Sequence, residues 1–195
     1  MSLTDVKNSL NEAASALDSL LKNEAMLQKV ADAASVMVEA LKAGGRIYSC
    51  GNGGSLCDAM HFAEEMTGRY RLNRRPLAAT AISDVAHMAC VANDFGYDEV
   101  FSRYIEGCAR HGDVLLGIST SGTSKNIIKA AEVAKALGMK VIILTGREKT
   151  PLGERADITI VTPGGQYADR VQELHIKIIH IFIELIERQL ALENS

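Results

Sequence analysis

The sequence predicts an α/β protein: a three-layer sandwich on a five-stranded parallel sheet, flavodoxin-like, with a helical N-terminal extension and a long C-terminal helix. Three observations carry this. Short apolar, β-prone runs alternate with stretches of helical periodicity. The runs are apolar enough to need helices on both faces, as parallel strands do. Turns rich in glycine or hydroxyl residues follow two of them.

The elements follow in order. Val6, Leu10, Ala13, Leu17 and Leu20 recur at steps of three and four, and Met26, Val30, Ala33, Met37 and Leu41 repeat the pattern as far as Gly44-Gly45. Two amphipathic helices therefore open the chain. They lie outside the strand-helix alternation, so residues 1–44 are expected to pack between subunits and 45–195 to form the core of a single domain. Arg46 to Cys50 reads as the first strand, and Ser55 as the N-cap of a helix running to about Gly68. Leu77 to Ile82 is the second strand, with a helix from Asp84 onward. Asp113 to Ser119 and Lys140 to Thr145 bracket a helix from about Ser124 to Leu137, and Asp157 to Val161 is a weaker fifth strand. The last helix begins at about Tyr167.

Composition narrows the function classes. The chain has 195 residues, 47% hydrophobic and 23% charged, with 21 basic against 24 acidic side chains. A net charge of −3 gives no global attraction to nucleic acid or to an anionic membrane, so any anion site must be local. The apolar run Ile176 to Glu187 is too short to span a bilayer and carries Lys177, His180 and Glu184, so it reads as a buried helix. Cys50, Cys57, Cys90 and Cys108 form no CxxC pair, and the expected setting is reducing and cytoplasmic.

In open parallel sheets ligands bind at the carboxyl ends of the strands, which directs attention to two loops. The first, GNGGS from Gly51, begins like a dinucleotide fingerprint, but Leu56 stands where the third glycine belongs and the acidic residue after the second strand is missing. It is read as a tight strand-to-helix turn. The second, STSGTS from Ser119 to Ser124, sets five hydroxyls and a glycine before a helix N-terminus, where free N–H groups and the helix dipole favour an anion. That chemistry suits a phosphate. No lysine follows in a Walker-type pattern, which argues against a nucleoside triphosphate.

Two helices carry groups able to do chemistry. His61 and Glu65 lie four residues apart and share a face, an arrangement that suits a metal pair or an acid-base pair as well as an incidental surface pairing. Glu64 points elsewhere and is the weaker candidate. Gln172, Ile176 and His180 run along one stripe of the last helix, with Asp169 a turn earlier. His180, inside IIHIFI, is either a buried structural imidazole or part of a site. His87, His111 and His175 are taken as structural.

Four long stretches, CGNGGSLCDAMHFAEEMTGRY, AISDVAHMACVANDFGYDEVFSRY, GDVLLGISTSGTSKNIIKA and YADRVQELHIKIIHIFIELIE, resemble the phosphoheptose isomerases of the sugar isomerase (SIS) fold over essentially the whole chain. The resemblance implies a cytoplasmic homotetramer with sites at subunit interfaces. It implies conversion of D-sedoheptulose 7-phosphate into D-glycero-D-manno-heptose 7-phosphate, the first step toward the ADP-heptose of lipopolysaccharide. It implies one zinc ion per subunit, held by His61, Glu65, Gln172 and His180, with Glu65 and His180 as the catalytic pair. Substrate contacts are implied for Asn52, Gly53, Gly54, Ser55, Glu65, Arg69, Asn93, Asp94, Ser119, Thr120, Ser121, Ser124, Asp169 and Gln172. Two alternatives stand beside it: an isomerase of another phosphosugar, and a non-catalytic SIS protein that binds a replication initiator. A pure binding module has no need of both Glu65 and His180.

Overall fold

The computed structural model describes residues 2–71 and 73–190. Five strands, β1 (Ile47–Gly51), β2 (Ala79–Ala81), β3 (Val114–Ser119), β4 (Lys140–Thr145) and β5 (Ile158–Val161), pair in parallel in the order β2-β1-β3-β4-β5. Ile47 lies opposite Ala79 on one side and Val114 on the other, and Ser119 lies opposite Thr145. Alternation of side chains across the sheet divides the interior in two. Val114, Leu116, Ile118, Ile142 and Leu144 face one helical layer, while Leu115, Val141 and Ile143 face the other. The expected α/β sandwich is the one observed.

The first layer contains α2 (Glu24–Lys42), α3 (Gly54–Thr67) and α7 (Ala168–Gln189), which bury Met37, Phe62, Ile179 and Phe182 against the sheet. The second contains α4 (Val85–Asp94), α5 (Ser102–Cys108) and α6 (Lys125–Ala136), burying Val91, Ile105, Ile127 and Ala130. The short α5, which follows a 3-10 turn at Tyr97–Glu99, has no counterpart in the sequence reading. Its seven residues are too few for periodicity to register.

The two leading helices behave differently from each other. α1 (Leu3–Leu21) starts on a capping box between Ser2 and Asp5, yet it leaves Leu3, Val6 and Leu10 exposed and buries only Leu20. α2, capped by the Asn23 side chain, buries Val30, Ala33, Ala34, Met37 and Val38 within this chain, against α7 and the sheet. Its apolar stripe is therefore satisfied internally, as a third helix of the first layer. Strand-helix alternation does not report this, because α2 precedes the first strand instead of linking two strands.

Ser55 does not cap α3. The N-cap is Gly53, at φ +54, and Ser55 is already inside the first turn, donating its backbone N–H to the Asn52 carbonyl at 3.0 Å. A glycine takes the position because a left-handed φ costs it little. At the other end of α3, Gly68 donates its N–H to the Glu64 carbonyl at 2.7 Å and Leu77 donates to that of Met66 at 3.0 Å, while a buried cation meets the carbonyls of Glu65 and Met66. Arg74, with its side chain 1% exposed, donates from Nη2 to the Glu65 carbonyl at 2.6 Å and from Nη1 to the Met66 carbonyl at 2.8 Å, while Nε donates to Glu187 Oε1 at 2.6 Å. The guanidinium thus joins the end of α3 to the end of α7.

His175, on the inner face of α7, is fully buried against the Thr145 backbone, and neither ring nitrogen meets a partner in hydrogen-bonding geometry. Burial pushes its pKa down from the usual 6.5 to about 4.

Two outcomes are expected. Replacing Arg74 by alanine leaves Glu187 unpaired in a largely buried position and should cost about 3–5 kcal/mol in urea unfolding. A depressed histidine pKa means that the unfolded chain takes up the proton first. The stability His175 confers is full above about pH 6.5 and is lost as the pH falls toward 4, by about 3 kcal/mol in all. The unfolding free energy should accordingly fall more steeply between pH 7.5 and 4.5 in the wild type than in His175→Leu; equal slopes would contradict it.

Candidate functional site

The strand order places a topological switch between β1 and β3: the chain leaves β1 toward β2 on one side and β3 toward β4 on the other. The loops after these two strands are the glycine turn and the STSGTS loop, and they flank the resulting crevice. A cavity of about 90 Å³ lies between them, lined by Asn52, Ser55, Ile118, Ser119, Thr120, Ser121, Ser124 and Gln172.

Its chemistry is that of an anion site. Ser124 occupies the N-cap position of α6 but makes no capping hydrogen bond; its Oγ lies 3.1 Å from the Ser119 Oγ, which accepts from the Gly122 N–H at 3.2 Å. Ser124 thus leaves the start of α6 without its usual cap; the Ile127 N–H is met by Asn126 Oδ1 at 3.0 Å, and no side-chain partner is seen for the N–H groups of Lys125 and Asn126 among the described residues. On the opposite wall, Asn52 is fixed by a reciprocal amide pair. Its Nδ2 donates to Asn126 Oδ1 at 3.0 Å and its Oδ1 accepts from Asn126 Nδ2 at 2.9 Å and from the Tyr97 hydroxyl at 3.1 Å. Asn126 and Tyr97 are absent from the sequence reading. Asn126, an apparently ordinary polar residue of a helical first turn, gave only the signal of being buried at 3% exposure, which needs the fold to be seen.

A second cluster lies where α3 meets α7. The Nε2 atoms of His61 and His180 are 3.0 Å apart, Glu65 Oε1 is 3.4 Å from His61 Nε2, and donor atoms of all three residues lie within 4.8 Å of one another. Two imidazole nitrogens and a carboxylate oxygen facing one point form a donor set that suits a divalent transition metal of the zinc type. Burial lowers the pKa of His180, an effect reinforced by His61 and opposed by Glu65, so the neutral form that a metal requires is favoured. Glu64, expected to point elsewhere, brings Oε1 to 3.6 Å from the other ring nitrogen of His61, a charge contact too long for a hydrogen bond. One turn before His61, burial raises the Asp58 carboxyl to about 6, and its Oδ2 is buried without a partner.

Gln172 belongs to the pocket wall and to the helix that also carries His180. It lines the cavity and lies so close to the glycine turn that a Cβ on Gly54 would fall 2.8 Å from its Nε2. Eight residues on, the same helix carries His180. The remaining expected residues do not line the cavity. Arg69 is exposed just after α3, Asp169 is exposed and accepts from the Arg170 N–H at 2.9 Å, and Asn93 and Asp94 are exposed at the end of α4, bonded to each other at 2.7 Å.

Fold and site together define a doubly wound α/β protein with a hydroxyl-lined switch-point pocket and a metal-binding type of side-chain cluster. The chain belongs to the SIS domain family, whose model matches residues 10–146, and within it to the phosphoheptose isomerases, so it is an isomerase. It is 58% identical to a phosphoheptose isomerase of Enterobacter sp. (strain 638) over 186 residues, covering 95% of this chain and 97% of that one. A phosphoheptose isomerase of Klebsiella pneumoniae is likewise 58% identical over 95% of this chain and 96% of its own. Among solved structures, the phosphoheptose isomerase of Francisella tularensis superposes with a TM-score of 0.91 at 32% identity, covering 96% of this chain and 99% of that one. GmhA of Neisseria gonorrhoeae gives 0.88 at 38% identity, covering 96% and 100%.

The Gly54 contact yields a direct expectation. The clashing atoms of Gln172 are the far end of a flexible side chain, so Gly54→Ala should keep the fold, with a melting temperature within a few degrees of wild type. It should displace Gln172, lowering kcat/KM by roughly tenfold or more. Steady-state kinetics beside a thermal melt decides; unaltered kinetics would mean that Gln172 need not stay at the turn.

Proposed function

We propose that this isomerase converts D-sedoheptulose 7-phosphate into D-glycero-D-manno-heptose 7-phosphate, the step that leads toward ADP-heptose and lipopolysaccharide. The observation that carries the reading is the presence in one chain of a small hydroxyl-lined pocket at the switch point and of the His61–Glu65–His180 cluster, with Gln172 of the pocket wall on the same helix as His180. A substrate with a phosphate at one end and a carbonyl at the other spans such a pair of subsites. The names of the relatives support the same substrate.

In this reading Ser119, Thr120, Ser121 and Ser124, with the α6 N-terminus, hold the phosphate. The backbone of Gly53 and Gly54 and the side chains of Asn52 and Ser55 carry the sugar past the turn. Moving the carbonyl between adjacent carbons requires a proton to leave one carbon and return to the next through an enediol. Glu65 is the base at carbon, and His180 moves protons at the oxygens. His61, Glu65, Gln172 and His180 are the proposed ligands of one zinc ion per subunit, and the donor types fit it. When bound, zinc supplies polarisation of the substrate oxygen. Arg69, Asn93, Asp94 and Asp169 are proposed as further substrate contacts. Since they lie outside the cavity of one chain, their involvement is most economical in a homotetramer with sites at subunit interfaces, in which the exposed Leu3, Val6 and Leu10 of α1 would be covered. Four free cysteines are in keeping with a cytoplasmic setting.

The test is a direct assay of sedoheptulose 7-phosphate against shorter ketose phosphates, with Glu65→Gln and His180→Gln alongside. The heptulose phosphate should be the best substrate. Each variant should lose about 10²–10⁴-fold in kcat while retaining the circular dichroism of the parent. Preference for a shorter ketose would reassign the substrate, and near-normal turnover in either variant would remove that residue from its role.

A further inference from the structure

The chain leaves α3 through Gly68 and Arg69 and brings Tyr70 over the outer face of His180. The two rings stack, with centroids 5.7 Å apart and planes 29° from parallel. Arg71 also lies over the tyrosine ring, its guanidinium carbon 5.2 Å from the centroid. Arg71 Nη1 in turn lies 3.2 Å from Glu184 Oε1, and Glu184 stands four residues beyond His180, one turn along the same helix. The tyrosine ring thus meets both the imidazole and a guanidinium, and the guanidinium is tied back to the helix that carries His180.

Such a stack constrains what the helix alone leaves free. The last side-chain torsion of a histidine is broad and roughly two-fold, so α7 fixes where His180 begins but not which edge it presents. A ring lying along one face limits that rotation. The T-shaped contact with His61, at 5.1 Å and 67°, limits it further. What results is the observed aim of His180 Nε2 at His61 Nε2, 3.0 Å away.

We propose that Tyr70 is a positioning residue for His180: clamped by Arg71 and Glu184, it holds the imidazole with Nε2 directed at the point shared with His61 and Glu65. The inference rests on the reading of that point as a zinc site. It assigns Tyr70 no contact with substrate and no proton of its own. Side chains that orient a ligating histidine affect both metal affinity and turnover, typically by about 10–100-fold. Substrate binding at the phosphate pocket should be spared, because Tyr70 does not line that cavity.

Metal-depleted protein titrated with zinc against a competing chelator, followed by steady-state kinetics of the reloaded enzyme, tests this on four variants. Tyr70→Ala and Tyr70→Leu remove the stack, with Leu retaining apolar cover should Ala fold poorly; both should weaken zinc binding by about tenfold or more and lower kcat, with KM changed less than about threefold. Tyr70→Phe retains the ring and should restore both properties to within about twofold of wild type. His180→Gln separates the two levels of the argument. If it binds zinc as wild type does, the zinc-site reading itself fails. If it weakens zinc while Tyr70→Leu does not, only the positioning role is overturned. A rise in KM at constant kcat in Tyr70→Leu would likewise overturn it, since that pattern belongs to a substrate contact.

Discussion

A guanidinium withdrawn from water is costly unless its partners are in place, and the placement of Arg74 sets how α3 meets α7. Arg74 offsets its desolvation only by meeting the terminal carbonyls of α3 and the carboxylate of Glu187 on α7 together. That condition can be met at one relative placement of the two helices. His61 and Glu65 sit within the last turns of α3 and His180 within the middle of α7, so the bond that anchors the helix ends also sets the approach of the imidazoles. Apolar packing of Phe62, Ile179 and Phe182 supplies the larger share of the association energy but tolerates sliding. A directional, charged contact does not.

The sheet imposes a second, independent constraint. Reversal of winding direction between β1 and β3 opens a crevice whatever the side chains are, and it is the loop residues that give the crevice its chemistry. At STSGTS the hydroxyls leave the start of α6 uncapped. An ordinary helix would spend Ser124 on its own amides; here that hydroxyl turns to Ser119 instead. The helix forgoes a cap worth about 1 kcal/mol, and a site that binds an anion recovers it on binding.

Much of this was legible in the sequence, and the gaps have physical reasons. Strand-helix alternation reported the sheet because its three central strands bury both faces, and the spacing of His61 with Glu65 reported a shared helical face because four residues make about one turn. Local pattern could not report Arg74, since nothing in NRRP distinguishes an arginine bound for the interior from its exposed neighbour Arg75. Nor could it report the pairing of Asn52 with Asn126, 74 residues apart. Ser55 was misjudged as a cap for a related reason: serine is the usual N-cap, but a loop that must bring backbone close to a ligand and to Gln172 uses glycine at the turn. α2 was legible as a helix, but the layer it joins was not, because a helix ahead of the first strand carries no topological label.

In the proposed reading, in which phosphate and reacting carbon occupy separate subsites, the position of Gln172 has a use. Binding energy gained at a phosphate helps turnover only if it is transmitted to the position of the atoms that react. In this chain the transmission is short and stiff. Gln172 and His180 belong to one continuous helix two turns apart, and the first of them abuts Gly54, on the turn that launches His61 and Glu65. A displacement at the pocket wall must therefore move either α7 or the start of α3, and both lead to the same three donor atoms. The amide can serve both sides because it is uncharged and amphoteric: its N–H groups suit phosphate or sugar oxygens, and its carbonyl suits a cation. A carboxylate at that position would repel the phosphate, and a lysine would repel the metal.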